Sequence, residues 1–182
     1  MKMKTFLCAL FAVSAAFVLA DRPSEAEPQF GANCLIQSSP FYHRLLGAGV
    51  FDAVPAHVAD PQPAQLLFRI ARGLQYSPDR SKTDKWQSAD ETTKNYGGDC
   101  EDKAIWLYTQ MRRNGYRDVA LHIGKYAPSS KKFHMWVSYV DETGHTILMD
   151  PTIQIKPWDV TKFPEKNYKS SHILTGDDCV SL

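Results

Sequence analysis

Long apolar runs are scarce in this chain, and neither sign of charge is in excess. Beyond the first twenty residues no stretch approaches the length of a membrane span. Lys and Arg together number 21 against 20 Asp and Glu, and no basic run stands out. That balance argues against nucleic acid and anionic membrane surfaces as main partners. Internal repeats and low-complexity segments are also missing. Cysteine is sparse at four residues, Cys8, Cys34, Cys100 and Cys179.

The one apolar run stands at the start. Lys2 and Lys4 precede a stretch from Phe6 to Leu19, and Val18-Leu19-Ala20 has the small-residue pattern of a cleavage site. Residues 1–20 are therefore predicted to be a secretory signal peptide, and the protein to be periplasmic or secreted, with no membrane attachment after cleavage. The remainder of the chain has the size of one domain. Cleavage removes Cys8 and leaves an odd count. Cys34 and Cys179 lie near the two chain ends, which commonly lie close together in a domain, so they are predicted to form a disulfide. Cys100 is then the free thiol.

Residues 21–63 are broken by Pro23, Pro28, Pro40, Pro55, Pro61 and Pro63, and are expected to be irregular apart from a helical turn or two over Phe41 to Leu46. The catalytic domain is expected over 64–182. After Pro63 the residues Leu66, Leu67, Ile70, Ala71 and Leu74 form one apolar helical face over 64–75. Ser88 followed by Glu91 is a capping-box pattern that predicts a short helix over 89–95. From Val119 the period changes from helical to alternating, with strands expected near 119–124, 133–140 and 146–150. The tail from Lys156 onward is expected to wrap the surface, with Ile173-Leu174 as a last edge strand. Helices followed by antiparallel strands predict an α+β fold.

The chemistry concentrates at Tyr96-Gly97-Gly98-Asp99-Cys100-Glu101-Asp102-Lys103-Ala104. Ala104, Ile105, Leu107, Tyr108 and Met111 continue it at helical spacing to about Asn114, with Gly115 as the stop. Asp99 is the expected N-cap, so Cys100 occupies the positive end of a helix, where thiolate is favoured over thiol. Asp99, Glu101 and Asp102 work against this, because three carboxylates raise a neighbouring thiol. A thiol nucleophile here requires a cationic partner from elsewhere.

Of six histidines, His122 and His134 fall on expected strands. If residues 142–144 form a three-residue hairpin loop, 136 pairs with 150, and Asp150 lies diagonally across from His134 on the same face. Asp150 would hold one ring nitrogen while His134 pairs with the Cys100 thiolate. This requires His134 on the face of the sheet toward the cysteine helix.

The segments Gly98-Asp99-Cys100-Glu101-Asp102, His134-Met135-Trp136-Val137 and Met149-Asp150-Pro151-Thr152 resemble, in this order, the transglutaminase-like superfamily. The first is more narrowly similar to the bacterial transglutaminase-like cysteine proteases of the LapG type. The resemblance spans roughly residues 64–155. It implies a papain-like core with the nucleophile helix packed on an antiparallel sheet, and a triad of Cys100, His134 and Asp150. It implies a calcium site at Asp99 and Glu101, although the chemistry itself requires no cofactor. The oxyanion would be held by the Cys100 N–H, with a second donor from Trp86 or Gln87. The expected activity is thiol hydrolysis of peptide or side-chain amides through a thioester, by a monomer acting on protein or peptide substrates. Crosslinking or deamidation by the same triad, and a non-catalytic exported binding module, are the alternatives.

Overall fold

The structure, a computed structural model, describes residues 41–51, 55, 57–79, 84–127, 129–162, 167–176 and 178–181, with backbone alone for Tyr42 and for 178–181. The expected signal peptide and Cys34 lie outside them. In chain order the elements are α1 (Tyr42–Gly47), α2 (Ala64–Gly73), β1 (Gln75–Tyr76), α3 (Ala89–Lys94), β2 (Gly97–Gly98) and α4 (Cys100–Arg113). Then come β3 (Val119–Lys125), β4 (His134–Val140), β5 (Thr146–Met149), β6 (Trp158–Asp159), β7 (Lys169–Thr175) and β8 (Asp178–Ser181). This is an α+β, papain-like arrangement.

The helix α4 is central because its sequence is buried on more than one side. Ala104, Ile105, Leu107, Tyr108 and Met111 are wholly hidden between α2, α3 and the strands β3 and β4. Its last turn carries Arg112 and Arg113, which complement the negative end of the dipole. Gly115 ends it at φ +86°, a conformation that costs a side-chain-bearing residue, and its N–H donates to Arg112. At α3 the expected capping box is present: Glu91 N–H donates to Ser88 Oγ at 3.2 Å, and Ser88 N–H donates to Glu91 Oε2 at 2.9 Å.

Six strands form one antiparallel sheet in the order β6-β5-β4-β3-β7-β8. Alternation divides its faces. Leu121, Ile123, Met135 and Val137 pack toward α4, whereas Trp136 and Leu148 pack with Tyr168 in a second, smaller cluster on the other side. The β4–β5 hairpin has the expected register, with Val137 opposite Met149 and Val140 opposite Thr146. Asp141 fixes that turn, its carboxylate accepting the N–H groups of Thr143 and His145 at 2.9 Å each, while Gly144 takes φ +81°.

Two expectations are corrected. The segment expected to be irregular contributes residues 41–51 to the folded core: the helical turn expected over Phe41 to Leu46 is present as α1, and Leu45, Ala48 and Val50 are buried in the same cluster as α4. The tail does not merely wrap. β7 is an interior strand between β3 and β8, and its 7 residues carry little apolar alternation because polar groups share the pairing. Ser171 Oγ donates to the Ile123 carbonyl, and Ser170 Oγ meets His122 Nδ1 at 3.0 Å. Among the described residues no helix is long and apolar enough to cross a membrane.

Candidate active site

The start of α4 is positioned by close backbone approach. β1 and β2 pair in parallel, Gln75 with Gly97 and Tyr76 with Gly98. A Cβ on Gly97 would stand 2.1 Å from the Gln75 carbonyl oxygen, and one on Gly98 2.2 Å from the Asp102 carboxylate. Only glycine fits at either place. Asp102 then gathers the surroundings: Oδ1 accepts the Gln87 N–H at 2.7 Å, and Oδ2 accepts the Gln87 side-chain amide and the Asp99 N–H at 3.2 Å. One turn on, the buried Lys103 Nζ donates to the carbonyls of Arg72 and Leu74, closing the C-terminal end of α2.

Cys100, half-buried and free, opens into a cleft of about 670 Å³. Phe41, Trp86 and Phe133 form an aromatic wall, with the Phe41 ring 5.6 Å from Trp86 and 5.5 Å from Phe133. His134 lines the same cleft. Its Nε2 lies 2.6 Å from Oδ2 of Asp150, which is completely buried. The other Asp150 oxygen accepts the backbone N–H groups of Thr152 at 2.8 Å and Ile153 at 3.1 Å. Facing a carboxylate oxygen, Nε2 is the ring nitrogen placed to donate, which leaves Nδ1 as the acceptor.

The face expected of His134 is corrected. By alternation His134 shares the side of β4 occupied by Trp136, whereas Met135 and Val137 face α4. The cleft forms at the end of the sheet, where Ile123 and Met135 of the helix-covered face line it together with His134. His134 is the first residue of β4, so it reaches the cleft from the strand end.

The electrostatics around the thiol are those of an acidic cluster. Cys100 Sγ donates to Glu101 Oε2 at 2.9 Å. Burial, then the charge of Glu101 and its hydrogen bond, push the thiol well above its usual value; the Met135 backbone N–H opposes them. Burial likewise raises Asp99 to about 6, helped by the charges of Asp102 and Asp79. It raises Glu101 to about 9, helped by hydrogen bonding to Asp84. Burial would raise Asp84 too, but hydrogen bonds from Glu101 and Arg44 hold it below the usual carboxylate range. Carboxylate oxygens of Asp79, Asp84 and Asp99 lie within 4.8 Å of one another, and Asp99 Oδ1 is buried with no hydrogen-bond partner. An all-oxygen, anionic donor set with an orphaned buried oxygen fits a hard divalent cation.

Of the two expected oxyanion donors, Trp86 lines the cleft with its Nε1–H on Asp84 at 3.3 Å. Gln87 is turned away from it. Its amide nitrogen is engaged by Asp102, and its oxygen accepts from Asn95 at 2.6 Å. The Cys34–Cys179 pairing falls on residues outside those whose side chains are described. Asp79 and Asp84 escaped the sequence reading because they sit in a polar connection without periodicity. Tyr168 escaped it too, since no motif marks it; its hydroxyl donates to Asp150 Oδ2 at 2.9 Å.

No protein-family model and no curated protein matches the chain by sequence. Solved structures match by shape. Calcium-bound LapG of Legionella pneumophila superposes with a TM-score of 0.54 at 19% identity, covering 83% of this chain and 86% of that one. Its EGTA-treated form gives 0.55 at 18% identity, over 84% of each chain. The likeness shows the fold alone: the chain folds as LapG of Legionella pneumophila does.

Proposed function

We propose that the chain is an exported thiol hydrolase that cleaves amide bonds in protein or peptide substrates, with Cys100 as nucleophile, His134 as base and Asp150 as the group that orients it. The observation that carries this reading is the 2.6 Å pairing of His134 with a fully buried Asp150 on the wall of the cleft into which Cys100 opens. Export rests on the leader pattern of residues 1–20.

The Cys100 proton passes to His134 Nδ1, and the imidazolium is stabilised by Asp150. For this the sulfur must leave Glu101 and turn to the ring. The thiolate adds to the amide carbonyl carbon, and the oxyanion is met by the Cys100 N–H, which the first helical turn leaves free. The C–N bond then breaks as the imidazolium protonates the leaving amine, giving a thioester. Water, deprotonated by His134, attacks the thioester, and acid and thiol are released. The carboxylates of Asp79, Asp84 and Asp99 would hold calcium, as LapG of Legionella pneumophila does in its calcium-bound form, with Glu101 beside them. Bound there, the cation would offset the negative charge that keeps the thiol protonated.

The test is a terminal-peptide profile of envelope proteins incubated with the mature protein and calcium. New N-termini absent with Cys100→Ala are expected. Isopeptide crosslinks or deamidated glutamines would assign amine transfer or deamidation instead, and an unchanged profile would leave a binding module.

A further inference from the structure

We propose that Tyr168 is a positioning residue of the site: its hydroxyl fixes the Asp150 oxygen to which His134 is bound. This rests on the roles proposed for His134 and Asp150. Tyr168 lies just before β7, far in sequence from both partners, and its ring is 4% exposed. Its hydroxyl donates to Asp150 Oδ2 at 2.9 Å, the same oxygen that meets His134 Nε2 at 2.6 Å. The carboxylate could otherwise satisfy itself on the Thr152 and Ile153 N–H groups through Oδ1 alone, with Oδ2 held by the imidazole only. The phenol supplies the second donor that locks the Oδ2 direction.

The ring is itself held in place. Trp136 and Tyr126 each meet it edge-on at 5.0 Å, and Trp158 does so at 6.1 Å. Trp136 also stacks on His134 at 6.1 Å, and Tyr126 meets His134 edge-on at 6.2 Å. The same two rings thus bracket imidazole and phenol alike. The phenol, carboxylate and imidazole form one unit, with its free end, Nδ1, directed by packing remote from the cleft. Tyr168 touches neither substrate nor sulfur in this scheme and acts only through Asp150.

The experiment uses the full mature chain with Tyr168→Phe, which keeps the ring and removes the hydroxyl, and Tyr168→Leu as a packing control. The first readout is water exchange of the His134 Nε2–H proton, followed by NMR in a Cys100→Ala background. Exchange is expected to quicken about tenfold in Tyr168→Phe, the loss of one hydrogen bond to a charged group. The second is alkylation of Cys100 by iodoacetamide at neutral pH, expected to slow by about tenfold while the urea midpoint of Tyr168→Phe stays near that of the parent. Unchanged exchange in Tyr168→Phe, with an effect only in Tyr168→Leu, would reduce Tyr168 to packing and overturn the inference. Alkylation indifferent to His134→Ala would instead sink the nucleophile–base reading, while the exchange result would still stand on its own.

Discussion

Gln87 and Asp102 are clasped twice across fifteen residues, backbone N–H to Oδ1 and side-chain amide to Oδ2. The same Asp102 receives the Asp99 N–H, so one nearly inaccessible carboxylate sets where the nucleophile helix begins. Asp102→Ala is expected to strip the Gln87 and Asp99 N–H groups of their acceptor and cost about 3 kcal/mol. Gln87→Ala keeps the backbone bond and should cost about 1 kcal/mol. Urea unfolding of the two variants checks the order, and equal losses would contradict this role for Asp102.

Within the proposed mechanism Cys100→Ala should abolish turnover and leave the thermal midpoint nearly unchanged. His134→Ala should lose nearly as much activity, because members of such a unit are not additive. Asp150→Asn should lose less in kcat. It removes the charge that stabilises the imidazolium but leaves a hydrogen-bonding group beside Nε2. Steady-state kinetics on a cleaved peptide order the three; activity persisting in Cys100→Ala would remove the thiol from the mechanism.

Calcium should bind with measurable heat, and Asp99→Ala should weaken it most, since Asp99 supplies the buried orphaned oxygen. Bound cation stabilises the fold by mass action, so the thermal midpoint should rise with calcium and fall in chelator. Arg44, paired with Asp84, should be released in the process. A calorimetric blank, with the same melting curve in calcium and chelator, would reject the site.

His122 gives a pH dependence of stability. Burial lowers it from 6.5 to about 4 while Ser138 and Ser170 bond both ring nitrogens. The fold therefore favours the neutral ring. Its contribution is fully present above 6.5 and is lost as pH falls from there through about 4, amounting to about 3 kcal/mol. The raised carboxyls beside Cys100 have the opposite sign, favouring the fold as pH falls. Melting curves of wild type and His122→Gln from neutral pH down to about 4 therefore need to be subtracted. The difference should shrink on acidification, and a constant difference would count against a buried neutral His122.

Much of this protein is written in short-range chemistry. Ser88 with Glu91, the helix from Cys100 stopped at Gly115, and the hairpin from Asp141 to Gly144 each depend on groups within a few residues, so spacing was enough to place them. The hairpin register also brings Asp150 to His134, because period-two alternation converts a turn into a cross-strand neighbour. What the sequence left open is non-local. The strand β7 enters the sheet through backbone pairing and serines, which leave no apolar pattern to read. Asp79 and Asp84 join Asp99, Tyr168 joins Asp150, and Lys103 closes α2 only because the packed chain brings distant segments into contact. Whether His134 approached from a sheet face or from a strand end was likewise decided by where α4 docks. Docking depends on the sum of many weak, non-directional apolar contacts, and no single residue spacing encodes that sum.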